Sequence, residues 1–266
     1  MFGKSFSLSL FLILSYSFSF GQNTNDNPFI PLQAVGGPAE WDFFVESHLV
    51  YPEKAYNQKT EITVALKVFV SEKGELIKFD FINEYPAEFC TESVRLIKLL
   101  EWVPAKKNGI SVNSEMVLKV EFNPENYRKA IRKRGFSKPK VDKKIATDTG
   151  LVIVKYPDRM PEYIKGDNYL NEFISENLEY PELAKRNNIQ GIVQLSFVVE
   201  TNGMISNLKI EKSLNNVCDE AAKEVVRQTR WKPAIHGGKY VRSRFQYAVN
   251  FTLNDTFKSN ELSEQK

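Results

Sequence analysis

A shift of 129 residues lays this chain on itself without a gap. Tyr51-Pro52-Glu53 then falls on Tyr180-Pro181-Glu182, Gly74 on Gly203, Trp102-Val103-Pro104-Ala105 on Trp231-Lys232-Pro233-Ala234, and Phe122 on Phe251. Of the 72 pairs from Tyr51 to Phe122 only 16 are identical, but they include Trp, Pro and Gly positions, where chance agreement is rare and the backbone is most constrained. The chain must therefore fold as two copies of one unit, and whatever one copy does the other repeats or has lost.

The ends and the joint of the repeat differ in character from the copies. Lys4 precedes an apolar run from Phe6 to Phe20, interrupted by Ser7, Ser9, Ser15, Ser17 and Ser19. At about 15 residues the run is shorter than the roughly 20 that a spanning helix needs. Residues 1–21 thus read as an export signal cleaved before Gln22, with a retained inner-membrane anchor as the alternative. The remainder divides into 22–124, a basic linker 125–150, a second module 151–257 and a polar tail 258–266. Hydrophobic content of 42% gives each copy enough to bury a core. Charge concentrates in the joint: residues 123–150 carry 9 basic and 3 acidic side chains, against 10 and 15 in 22–122 and 16 and 15 in 151–266. Such a run reads as a solvated connector, with contact to anionic lipid or glycan as the alternative.

Hydrophobic spacing gives the same order of elements in both copies. Trp41, Phe44, Val45 and Leu49 recur at helical intervals, as do Leu170, Phe173, Ile174 and Leu178, and each helix ends at the Tyr-Pro step. A short helical turn follows from Pro181 to Arg186. Val64, Leu66, Val68 and Val70 alternate like Val193, Leu195, Phe197 and Val199, which predicts a strand. Asn202-Gly203 turns it into a second strand with Leu208 and Ile210 inward, matched by Phe79 and Phe81. Asp219 to Arg230 reads as a second helix, stopped by Trp-x-Pro. A last strand carries Phe245, Tyr247, Val249, Phe251 and Leu253, matched by Met116, Leu118, Val120 and Phe122. The fold class is α+β: two tandem α-β-β-α-β modules, each a three-stranded antiparallel sheet with helices on one face. Three strands leave two edges, and an edge must be shielded or used to bind an extended segment.

Several residues have plain structural roles on this reading. Trp102 and Trp231 are core anchors at the helix ends, and His236 is an exposed residue in the Ile235-His236-Gly237-Gly238 turn. Cys90 and Cys218, one per copy and just ahead of the second helix, are expected as buried free thiols rather than an interdomain disulfide. His48 and His236 are the only histidines, no H-E-x-x-H, Gly-x-Ser-x-Gly or phosphate-loop pattern occurs, and no enzyme, metal or cofactor is expected.

The second copy resembles the TonB C-terminal domain family. The residues that carry the likeness run from Met160-Pro161-Glu162 through Asn177-Leu178-Glu179-Tyr180-Pro181-Glu182-Leu183-Ala184-Lys185, Gly191, Phe197-Val198-Val199 and Gly203. They continue with Asp219-Glu220-Ala221-Ala222, Trp231-Lys232-Pro233-Ala234, Val241-Arg242-Ser243 and Val249-Asn250-Phe251-Thr252-Leu253. The first copy resembles the family more loosely, with Ile62 at the place of Gly191 and no Asp-Glu-x-Ala helix start. The resemblance implies a periplasmic protein that grips the TonB box of an outer-membrane TonB-dependent receptor by strand addition, in the service of energy-coupled transport. Carried over by position, the implied binding residues are Phe245, Gln246, Tyr247, Ala248, Val249, Asn250 and Phe251, with Asn177, Glu179 and Tyr180 before and at the Tyr-Pro step. Engagement of the ExbB–ExbD motor and of nucleic acid is not expected, and self-association is an alternative use of the edge. A non-transducing periplasmic scaffold of paired modules is the alternative function.

Overall fold

The computed structural model describes residues 29–134 and 151–253. The segments read from sequence as an export signal, the rest of the linker and a polar tail lie outside the described residues. The first module runs β1 (Gln33–Ala34), α1 (Glu40–His48), α2 (Glu53–Asn57), β2 (Ile62–Val70), β3 (Leu76–Phe81), α3 (Ala87–Leu99), β4 (Trp102–Val103), β5 (Ala105–Lys107), β6 (Ile110–Val112), β7 (Ser114–Phe122) and α4 (Pro124–Arg134). The second runs β8 (Glu162–Tyr163), α5 (Asn168–Asn177), α6 (Glu182–Arg186), β9 (Gly191–Val199), β10 (Ile205–Lys212), α7 (Asn216–Arg227), β11 (Trp231–Lys232), β12 (Ala234–His236), β13 (Lys239–Val241) and β14 (Ser243–Phe251).

Each module is built on a three-stranded antiparallel sheet, ordered β3-β2-β7 in the first and β10-β9-β14 in the second. The repeat holds at the level of strand register. Ile62 pairs with Phe122 and Val70 with Ser114, just as Gly191 pairs with Phe251 and Val199 with Ser243. Alternation does the sorting: Val64, Leu66, Val68 and Val70, like Val193, Leu195, Phe197 and Val199, face the helices and are buried. Phe44, Phe89 and Phe122 fill the first core, and Phe197, Trp231 and Phe251 the second.

One constraint recurs in both copies and explains why the hairpin glycine survived their divergence. Gly203 has φ +78 and a Cβ there would lie 2.3 Å from the Trp231 carbonyl; Gly74 has φ +83 and a Cβ would lie 2.6 Å from the Trp102 carbonyl. Both conditions demand glycine. They also dock the hairpin turn against the Trp strand, since the Trp231 amide donates to the Gly203 carbonyl at 3.0 Å. Trp102 and Trp231 are 6% and 3% exposed, the core anchors that their places at the helix ends imply.

The second helix starts earlier than its Asp-Glu-x-Ala signal. Asn215 caps α7 by accepting from the Cys218 amide at 2.8 Å, so the helix begins at Asn216 and ends at Arg227 rather than Arg230. Cys218 and Cys90 consequently sit within α7 and α3, not ahead of them; both are free, Cys218 buried and Cys90 half-buried. The Gly-rich turn holds a small hairpin of β12 and β13, and His236 at its tip is exposed, 3.1 Å from Asp158. The first part of the basic joint is a helix, not a solvated connector. In α4, Tyr127 and Ala130 are buried against the first module, while Arg128, Lys129, Arg132 and Lys133 face solvent.

The modules are joined by a polar contact along β10. Asn207 interrupts the β10–β9 register with φ 52; its Oδ1 accepts from the Glu101 amide at 2.7 Å and its Nδ2 donates to the Leu99 carbonyl at 3.0 Å. Glu40 from α1 is buried and pairs with Arg227 of α7 at 3.0 Å. Arg242 donates to Glu200 at 2.7 Å and to the Leu99 carbonyl at 2.7 Å, and Ser206 donates to the same Glu200 carboxylate. Burial opposes the charge on Glu200, but the Arg242 charge and hydrogen bonds outweigh it and hold this carboxyl below its usual range. At Glu40 burial prevails over Arg227, and the carboxyl is raised.

Candidate peptide-binding edge

Of the two edges of the second sheet, β10 is covered along its first half by the first module: Ile205 to Leu208 are buried, and Asn207 bonds the Leu99–Glu101 segment. The other edge is β14. Which of its backbone groups point outward follows from the first module, where the equivalent pair is fully determined. The Ala65 carbonyl accepts from the Ile82 amide and the Ala65 amide donates to the Tyr85 hydroxyl, so Ala65 bonds toward β3. Its β7 partner Lys119 then bonds away from β2. Lys119 corresponds to Ala248, which pairs with Gln194 in the same register. By strand alternation the outward row of β14 is Arg244, Gln246, Ala248 and Asn250.

At its start this edge is stopped. Ile153 bridges to Arg242, with the Val154 amide donating to the Arg242 carbonyl at 2.8 Å and the Ser243 hydroxyl donating to the Val154 carbonyl at 3.0 Å. Beyond that, no backbone group among the described residues pairs with the outward groups of Gln246, Ala248 and Asn250. The far end opens into a cavity of about 1090 Å³ lined by Asn177, Leu178, Glu179, Tyr180, Asn250 and Leu253. The open stretch is therefore bounded at one end and continuous with a groove at the other.

The residues singled out by sequence divide into three groups. Gln246, Ala248 and Asn250 are exposed on the solvent face, where an added strand's side chains would meet them. Phe245, Tyr247, Val249 and Phe251 face the helices; Val249 and Phe251 are fully buried, and Phe245 packs on Trp231 at 4.6 Å. These four contribute backbone and core, with the Tyr247 hydroxyl tied to Asn171 at 2.6 Å. Asn177, Glu179 and Tyr180 gather at the groove. The Asn177 amide donates to its own helix at Phe173, and Glu179 is exposed. Tyr180 donates its hydroxyl to the Ile189 carbonyl at 2.6 Å and stacks edge-on against Phe251 at 5.4 Å, so it fastens the helix end to the start of β9 while lining the groove. Burial raises its pKa and keeps the phenol a neutral donor.

The stop at Ile153–Val154 and the buried Arg242–Glu200 pair escape a reading by periodicity. A two-residue parallel bridge has no repeat, and an ion pair 42 residues apart leaves no local pattern. The signal that existed was an Arg-Ser step at the head of an alternating strand, where the alternation itself calls for a covered side chain.

The family model described as "Gram-negative bacterial TonB protein C-terminal" matches residues 47–124 and again residues 176–253. Two curated relatives, each "Protein TonB" from Xanthomonas campestris pv. campestris, strains B100 and ATCC 33913, are 35% identical over 77 residues, covering 29% of this chain and 34% of theirs. The match thus spans about a third of the length of those relatives. Among solved structures, the Helicobacter pylori TonB-CTD aligns at 20% identity with a TM-score of 0.26, over 31% of this chain and 76% of that one. The Pseudomonas aeruginosa TonB CTD aligns at 23% and 0.25, over 29% and 78%.

Proposed function

This chain belongs to the TonB C-terminal domain family, and from that premise we propose that its second module binds an extended peptide, the TonB box of an outer-membrane receptor, along β14. The observation that supports this reading is the edge itself. Gln246, Ala248 and Asn250 carry outward amides and carbonyls that nothing among the described residues pairs, and the first half of the second sheet's other edge is covered by the first module. Backbone bonds to an added strand give affinity, and the exposed side chains of Gln246 and Asn250 with the groove at Tyr180 give selectivity. The protein acts in the periplasm, in energy-coupled uptake across the outer membrane. The paired-module scaffold is less well supported, since the modules meet through β10 and, on β14, only at Arg244, which pairs with Glu101 at 2.5 Å, leaving Gln246, Ala248 and Asn250 free of the first module among the described residues.

The test is titration of a synthetic peptide carrying a receptor TonB box into the folded protein. The reading expects saturable binding that weakens roughly tenfold or more in Ala248→Pro, which deletes an outward donor and leaves the β9 ladder intact. No binding at millimolar peptide, or binding indifferent to Ala248→Pro, would remove it.

A further inference from the structure

The two modules share a register but not the state of their matching edges. In the first, the outward carbonyl of Lys119 is already bonded: the Trp41 indole Nε1 donates to it at 3.0 Å. Lys119 lies in the middle of β7, at the place of Ala248 in β14. The residue matched to Trp41 is Leu170, which is 4% exposed and has no donor to offer. The chain after β7 also turns back as α4. Asn123 caps that helix by accepting from the Glu125 and Asn126 amides, both at 3.0 Å. Its Tyr127 enters an aromatic cluster with Tyr51 at 5.3 Å and Tyr56 at 5.5 Å. Tyr51 is the counterpart of Tyr180, so the aromatic wall that is open to the groove in the second module is filled by the chain's own side chain in the first. Between α1, β7 and α4 a gap of about 810 Å³ remains, lined by Trp41, Val45, Lys119, Glu121, Tyr127 and Ala130.

The geometry points to Trp41 as the residue that decides which module binds: the first module holds a closed copy of the peptide edge, and the chain takes one extended peptide. This rests on the strand-addition reading for β14. A strand added to β7 needs the Lys119 carbonyl, since it lies in the centre of the outward row, and it cannot have that carbonyl while the indole does. The remaining gap is large enough for one extended chain, so exchange of the indole, rather than refolding of the module, opens the site.

The experiment is a stoichiometry measurement by calorimetric titration of the TonB-box peptide into the full chain and into Trp41→Leu, which installs the second module's residue, and Trp41→Phe, which keeps an aromatic ring without the N–H. Circular dichroism establishes that each is folded. The expected result is one peptide per wild-type chain and two per chain in both variants, with the added site lost when Lys119→Pro is combined with Trp41→Leu. Two peptides on the wild-type chain, or one on folded Trp41→Leu, overturns the role of Trp41 while leaving β14 binding in place. Absence of binding in all forms overturns both readings together. A peptide-free measurement is independent of these: the Trp41 indole proton should exchange with solvent far more slowly than an exposed indole, and fast exchange would overturn the closure.

Discussion

Gly203 and Gly74 show how much one residue can fix. Each combines a positive φ with a neighbouring Trp carbonyl where a Cβ would stand, so the pair was legible in sequence as shared glycines, although their contact with the Trp strand was not. Gly203→Ala should lower stability by at least about 2 kcal/mol, because the left-handed backbone and the close carbonyl are both unfavourable. Gly74→Ala should do the same, as read by urea unfolding. Asn207 and Trp41 were illegible for the opposite reason: their side chains replace backbone partners, Asn207 for Leu99 and Glu101 and Trp41 for the Lys119 edge, and no spacing rule encodes that.

Among the elements, strands were read most faithfully, because one buried face forces alternation and alternation forces register. The gapless shift of the repeat carries over to the pairing of β2 with β7 and of β9 with β14. Helix ends were read less well. The cap at Asn215 moves α7 three residues earlier than its acidic signal, and the basic run hides a stripe of buried Tyr127 and Ala130 with half-buried Ile131 that makes α4 a packed helix. Replacing Asn215 by Ala should cost about 1 kcal/mol of stability by removing the cap, measurable as a shift in the urea midpoint. It should leave peptide affinity unchanged, since Asn215 lies at the start of α7, away from Ala221, Glu224 and Val225 that line the groove. Ala248→Pro should behave in reverse, with small effect on unfolding and loss of peptide binding.

Across the whole molecule, the inter-module contact makes stability depend on pH through two carboxyls of opposite sign. The Glu200 carboxyl is held below the usual carboxylate range in the folded protein, so its contribution is present above that range and is lost as pH falls through the lower folded pKa. Glu40 is raised, so its contribution is largest at low pH and falls as pH rises through its folded pKa. Between pH 6 and pH 3 the urea midpoint of Glu200→Gln should therefore decline less than that of the parent protein, and that of Glu40→Gln should decline more. Neither carboxyl could be assigned from sequence, since both owe their environment to the docking of one module on the other. That docking covers the first half of β10, touches β14 at Arg244, and leaves Gln246, Ala248 and Asn250 as the edge on which the functional account stands. Amide hydrogen exchange along β14 tests it most directly. In the free protein Gln246, Ala248 and Asn250 should exchange rapidly while Phe245, Tyr247 and Val249 are protected by β9, and TonB-box peptide should slow the first three; protection of those three before any peptide is added, or no change after it, would contradict the account.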